Sequence, residues 1–360
     1  MKLQKAKKRI KRIVHIAIFC FIFVIAYVGV SGAIGNNTPF YKKLLTFHDL
    51  PRNSVDVVFI GASHVHRGWN PLYAWKNYGI VSYSWATNSQ PTPSIPYIIK
   101  DILLTQSPKV IVIDYNGLNR ENGTDTMGKA REGALRNVTD NMTNSVNRLK
   151  AVYTISKALG LNDGYNGFTY YFSLTLYHSL WEQRLAQLID GTFPKPDLVN
   201  ATTRNWTVYL DSTSNPGPAP RPENPSDLPG LAPQQVQDVI DAVKECNVPV
   251  ELIVLPYSSY DWERGRLLTI ENEFDKNGLD YFDMMDDATE MGIDYSTDYY
   301  DRGHLNLWGA QKATDFLAKY LIAKYDLPDH RGELGMKAWD TAYAEYYKQA
   351  YAEYYKQAAS

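Results

Sequence analysis

VDVVFIGASHVHRGW, residues 55–69, decides the fold. The β-branched run at 55–60 is short, continuous and apolar, and it stops at Gly61. That pattern predicts a strand buried on both faces. Gly61 lets the chain turn sharply, and a helix is expected to follow. In open parallel sheets, ligands bind just beyond the carboxyl ends of strands, so chain order alone places Ser63 at such a position. A serine there serves as a nucleophile if a base reaches it, and as a helix N-cap if none does.

The same signals recur outward from this stretch. Residues 80–84 (IVSYS) and 109–114 (KVIVID) read as further strands, with a helix over 94–106 between them. After a polar middle the pattern resumes with a helix at 234–246, a strand at 250–255 and a helix near 263–277. A weak strand (LDYFDM), an acidic loop and a helix from Leu307 to Tyr325 follow. Strands alternating with helices predict an α/β fold, a three-layer α/β/α arrangement around a parallel, flavodoxin-like sheet. The main domain is expected to span 50–328.

Residues 120–233 interrupt that alternation and read as an insertion or cap, with helical patches near 145–160 and 173–190. It closes with SNPGPAPRPENPSDLPGLAP, residues 214–233, whose seven prolines forbid a regular helix or inner strand. The tail, 329–360, repeats AYAEYYKQ at 342–349 and 350–357. Its tyrosines fall on one helical side. They would form either an aromatic face for a membrane or partner, or a surface helix packed on its own domain.

The amino terminus sets the compartment. Seven Lys and Arg residues within 1–12 precede the acid-free apolar run Ile13–Ile34. About 20 such residues cross a bilayer as a helix, and the positive-inside rule keeps the basic end in the cytoplasm. The expectation is a single-pass cell-membrane protein with an extracytoplasmic domain; a cleaved signal peptide is the competing reading. The first 48 residues carry nine basic and no acidic side chains. The remainder holds 28 basic and 39 acidic ones, a net charge of −11. An acidic body is a poor partner for nucleic acid. The contexts of Cys20 and Cys246 argue against a structural disulfide, and no C-x-x-C is present.

A second chemical cluster is Asp301-Arg302-Gly303-His304, just before the last main helix. A histidine can take a serine proton and return it to a leaving group, while a carboxylate three residues earlier holds its tautomer. His64 and His66 have the spacing of strand-borne metal ligands, but no third ligand clusters with them. His64 is expected to line the pocket or to bond the backbone. Asp283, Asp286, Asp287, Glu290, Asp294 and Asp298 lack calcium-loop spacing and read as a solvated face. Trp69, Trp75 and Trp85 are either core or sugar-stacking residues.

The G-x-S after strand one and the D-x-x-H before the final helix resemble the SGNH (GDSL-like) hydrolase superfamily. The resemblance covers 55–120 and 245–325, and DRGHLNLWGAQKATDFLAKYL is its most specific part. It is nearest to the membrane-anchored SGNH-like proteins of Gram-positive bacteria, a group that includes the D-alanine-transfer protein of teichoic acid synthesis. The resemblance implies Ser63 as nucleophile, His304 as base and Asp301 as its orienter, with no cofactor or metal. The family's G-D-S is G-A-S here, and its oxyanion blocks are not distinct. By position, Asn88 and Asn116 are the candidate donors, with Gln90 behind them; each Asn also suits a turn.

The implied function is a serine esterase or O-acyltransferase at the membrane face. Its implied substrate is an acylated cell-envelope polysaccharide, teichoic acid or peptidoglycan ester, and analogy adds a membrane-bound acyltransferase as partner. Two rivals remain at this stage. One is a non-catalytic envelope binding or assembly protein that keeps the fold. The other is a metal-dependent phosphoesterase using His64, His66 and the acidic loop.

Overall fold

The β-branched runs build one five-stranded parallel sheet. Its strands are β1 (Val57–Gly61), β2 (Ser82–Ala86), β3 (Val110–Asp114), β4 (Val250–Val254) and β5 (Tyr281–Asp283), in the order β2-β1-β3-β4-β5. Val57 pairs with Ser82 on one side and Val110 on the other, and Ile111 pairs with Val250. Every residue of β1, β2 and β3 is buried. Burial on both faces is why these strands read as continuous rather than alternating runs. The computed structural model describes residues 2–34, 40–120, 130–161, 164–192 and 212–358.

The chain divides into two compact units, Met1–Asn37 with Gly164–Pro194 and Thr38–Asp163 with Lys195–Ser360. The second holds the sheet. Helix α2 (Tyr41–Asp49) precedes β1, and connections between strands are helical: α3 (Ser63–Gly68) and α4 (Pro71–Tyr78) after β1, and α5 (Ile95–Ile102) after β2. Two helices, α6 (Ala130–Thr139) and α7 (Val146–Ala158), follow β3, and α11 (Ala232–Glu245) precedes β4. Then come α12 (Asp261–Lys276) after β4 and α13 (Leu307–Tyr325) after the sheet. Val57, Phe59, Val110 and Val112 share one apolar core with Trp69, Trp75, Ala310 and Leu317. The alternate positions Val58, Ile60, Ile111 and Ile113 are equally buried. Each such aliphatic side chain contributes roughly 1.5–3 kcal/mol on leaving water.

Local signals fix the ends. Asn70 caps α4 by accepting from the Tyr73 N–H at 3.0 Å, Pro71 opens the helix, and Gly79 at φ 71° closes it. β2 begins two residues later than its apolar run suggests. Its serines fit the buried strand, where Ser82 Oγ accepts from the Trp69 indole N–H at 3.0 Å. The tail forms α14 (Lys337–Ala358). Tyr346 is buried there and accepts from Asn70 Nδ2 at 2.8 Å, and Trp339 packs on Trp75. The first copy of the repeat therefore packs on its own domain. The side chains of Tyr351, Tyr354 and Tyr355 in the second copy lie outside the described residues.

The first unit comprises α1 (Lys2–Ile34) and three short helices, α8 (Gly164–Tyr171), α9 (Leu174–Tyr177) and α10 (Trp181–Ile189). Within α1, Gln4–Ser31 is long and apolar enough to cross a membrane. The residues expected to form one insertion thus divide: α6 and α7 belong to the sheet unit, while 164–194 clusters with α1.

Candidate active site

Strand order creates the site. The chain runs from β1 to β2 on one side and then crosses to β3 on the other, so the crevice between the carboxyl ends of β1 and β3 is the topological switch point. β1 ends at Gly61, and Ser63 is the first residue of α3. A Cβ at Gly61 would sit 2.5 Å from Val65 Cγ2 and 3.0 Å from Asp114 Cβ. Only glycine lets α3 fold back that tightly beside β3.

Asp301 and His304 come from a small antiparallel hairpin, β6 (Tyr299–Asp301) and β7 (His304–Leu305), in which they pair with one another. The hairpin is anchored at both ends. After it, Asn306 caps α13 by accepting from the N–H groups of Trp308 and Gly309. Beside it runs the proline-rich segment, in which Thr213 N–H donates to the Tyr299 carbonyl at 2.7 Å and Asn215 Nδ2 to the Asp301 carbonyl at 3.3 Å. The loop after β4 adds a bond from Ser258 N–H to the Arg302 carbonyl at 3.0 Å.

These elements bring Ser63, His304 and Asp301 into one hydrogen-bond chain. Ser63 Oγ lies 2.7 Å from His304 Nε2, and His304 Nδ1 lies 2.8 and 2.9 Å from the two Asp301 carboxylate oxygens. Burial pushes the Asp301 carboxyl up, but its hydrogen bond and charge interaction with His304, with the Gly303 N–H, hold it below the usual carboxylate range. An ionised Asp301 keeps the His304 proton on Nδ1 and leaves Nε2 to accept from the serine.

His64 stacks on His304, with ring centroids 5.4 Å apart and planes 25° apart. Its Nδ1 accepts from Asn116 Nδ2 at 3.0 Å, which puts its own proton on Nε2. Burial first, and then the charges of His304 and Arg120, hold this imidazole well below its usual range, so it is neutral at neutral pH. His66 faces elsewhere: its Nε2 bonds Asn88 Oδ1 at 2.8 Å, and burial lowers its pKa to about 3. The two histidines, which only the rival metal reading set on one ligand, hold different asparagines. Among the described residues, no group of three or more His, Cys, Asp or Glu side chains is placed to hold a metal ion.

A cavity of about 90 Å³ opens beside Ser63, lined among others by His64, Gln90, Asp114, Asn116 and Arg120. Gln90 is buried, and among the described residues its Nε2 has no hydrogen-bond partner. A buried amide left unpaired beside a pocket becomes a donor for a bound oxygen once a small side-chain movement exposes it. Asn116 is on the wall but committed to His64 and to Asn119 Nδ2, which donates to its Oδ1 at 3.1 Å. Asn88 is exposed and is not among the residues lining the cavity; its carbonyl oxygen is taken by His66. The geometry brings Ser63, Asp301, His304, His64, Gln90 and Asn116 together, and not Asn88.

Sequence reading missed Asp114 and Arg120. Asp114 is the last residue of β3, at the switch point, and that position was the available signal. Burial raises its carboxyl to about 7, while it accepts from the Asn116 N–H at 3.0 Å. Arg120 reaches Glu263 at 2.6 Å, a partner 143 residues away that no local pattern announces. The acidic run is not a solvated face throughout. Asp283 is buried and ion-paired to Arg264, and Asp286 is held by Arg264 and Arg221. Asp298 is buried and pairs with Lys312 at 2.7 Å.

Comparison with models of known families, with curated proteins and with solved structures finds no match for this chain.

Proposed function

We propose that this chain is a membrane-anchored serine esterase or O-acyltransferase of SGNH type, working on the extracytoplasmic side on acyl esters of a cell-envelope glycan. The Ser63–His304–Asp301 hydrogen-bond chain at the switch point of the sheet is the observation that carries this reading. A three-layer α/β/α arrangement belongs to the same reading, supported by a sheet buried on both faces. The basic residues ahead of the apolar helix support a cytoplasmic amino terminus in a cell membrane.

The chemistry proceeds in two halves. Ser63 Oγ attacks the ester carbonyl as its proton passes to His304 Nε2, and Asp301 stabilises the imidazolium. Gln90 Nε2 donates to the oxygen that becomes negative. The ester C–O bond breaks, the leaving alcohol oxygen takes the proton from His304, and an acyl-serine remains. Water or a glycan hydroxyl then attacks that acyl group, passing its proton to His304, and Ser63 Oγ regains a proton as it leaves. The cavity beside Ser63 would receive the acyl group.

The test is covalent labelling of the full chain in detergent by a fluorophosphonate, with the adduct located by mass spectrometry. An adduct on Ser63 that Ser63→Ala and His304→Ala both abolish is expected. A folded protein that forms none would overturn serine catalysis and leave an envelope binding or assembly role.

A further inference from the structure

The segment that clusters with α1 exposes much apolar surface, and α10 carries its side chains inside out. Phe168, Phe172, Leu176, Trp181, Leu185 and Ile189 are all 41–79% exposed. On α10 the apolar residues Trp181, Leu185, Leu188 and Ile189 follow one another at helical spacing and share one face. The one buried side chain of that helix is Arg184. Its Nε donates to the Ile34 carbonyl at 2.8 Å, satisfying an end group of α1 that has no partner within its own helix. A soluble helix buries its apolar stripe and exposes its arginine; α10 does the reverse.

The contacts to α1 give the depth of this element. Phe172 meets Tyr27 edge-on at 5.9 Å, and Arg184 meets Ile34. Those two positions of α1 are seven residues apart, about 10 Å along the helix. They bracket its last turns, where a span of this length leaves the hydrocarbon for the headgroups. Phe168 and Phe172 stack at 4.7 Å, and Trp181, the first residue of α10, is exposed. Aromatic rings are favoured at that boundary.

We propose that α8–α10 form a second, interfacial membrane element, lying in the lipid boundary at the carboxyl end of α1 with the Trp181–Leu185–Leu188–Ile189 face in the acyl region. The occupant is lipid rather than a protein partner for two reasons. The face contains no charged side chain for a partner to read. It is also continuous with α1, whose own apolar side chains from Ile13 to Val30 are exposed to the same medium. The proposal rests on α1 being a membrane span.

The test uses the full chain with Cys20→Ser and Cys246→Ser, reconstituted in phosphatidylcholine vesicles containing lipids with nitroxide-bearing acyl chains. An environment-sensitive fluorophore is attached in turn through Val24→Cys, Leu185→Cys and Gln183→Cys. Nitroxide should quench the labels at positions 24 and 185 at least about twofold more than the label at 183, on the opposite face of α10. Quenching at 24 with 185 no stronger than 183 would overturn the interfacial element and leave the anchor standing. A blue-shifted but unquenched label at 185 would mean a protein cover and would overturn it too. An unquenched label at 24 would remove the anchor, and this inference with it.

Discussion

His64 stacks on His304 at 5.4 Å while its own Nδ1 is occupied by Asn116. Burial holds His64 neutral beside the imidazole that accepts the serine proton in the proposed mechanism. A fixed cation in place of His64 would oppose the imidazolium of the first step by roughly 3 kcal/mol at an effective dielectric of 20. His64→Arg should slow fluorophosphonate labelling of Ser63 about 100-fold, and His64→Gln should stay within about tenfold of the parent. Equal loss in both variants would show that the ring's shape, and not its neutrality, matters.

In the proposed mechanism Asp301 acts through His304, which its carboxylate bonds at 2.8 Å. Asp301→Asn keeps the volume but removes the acceptor that selects the Nδ1–H tautomer, and a loss of about 10²–10⁴ in labelling rate is expected. Combined with His304→Ala it should add almost nothing, because groups acting as one unit are not additive. Independent losses in the double variant would refute the linkage.

Gln90 and Asn88 should separate cleanly. Gln90→Leu removes the unpaired pocket donor and should lower turnover of a small acyl ester about 100-fold, with little change in KM. Asn88→Ala only frees His66 and should cost less than about tenfold. The reverse ranking would move the oxyanion donor to Asn88.

Asp114 makes stability depend on pH. Its folded pKa of about 7 lies above its ordinary 3.8 because burial disfavours the charged form. Below pH 3.8 both states are protonated and nothing is lost. As pH rises from 4 to 7 the unfolded chain ionises first, and native stability falls; above 7 the penalty is constant. Asp114→Asn keeps an acceptor for the Asn116 N–H without the titration. Its stability advantage should be small at pH 4 and grow to a maximum on the order of 4 kcal/mol at pH 8. Parallel urea-midpoint profiles for the two proteins would sink the assignment.

Much of this architecture was legible because its causes are local. Continuous β-branched runs mark strands covered on both faces, and Gly61 marks the turn that presents Ser63. The pairing of Ser63 with Asp301 and His304 could be read because each sits at an element end, where a parallel sheet collects its functional groups. What stayed hidden depends on distant partners. The Glu263 that meets Arg120, and Arg221 and Arg264 that take up Asp283 and Asp286, are unrelated in local sequence. The helical patch expected over 173–190 is broken into α9, a 3-10 turn at His178–Leu180 and α10, and its apolar stripe faces outward. Periodicity can locate such a stripe but cannot say which medium covers it.

The proline-rich return leg of the insertion lies alongside the hairpin that carries Asp301 and His304. Thr213 bonds both Tyr299 and Tyr300, Asn215 bonds Tyr295 and Asp301, and Ala219 reaches Ser259. Prolines lack N–H groups, and the donors at the start of this leg, Thr213, Asn215 and Ala219, go to the hairpin, the chain just before it and its supporting loop. The carbonyls of the hairpin and of the chain just before it therefore protect the leg's amides at Thr213 and Asn215, which should open to deuterium only when the leg leaves the hairpin. The relay is splinted by chain that lies some 80 residues earlier in sequence, and shortening that splint would release the histidine from register without touching any residue of the relay itself.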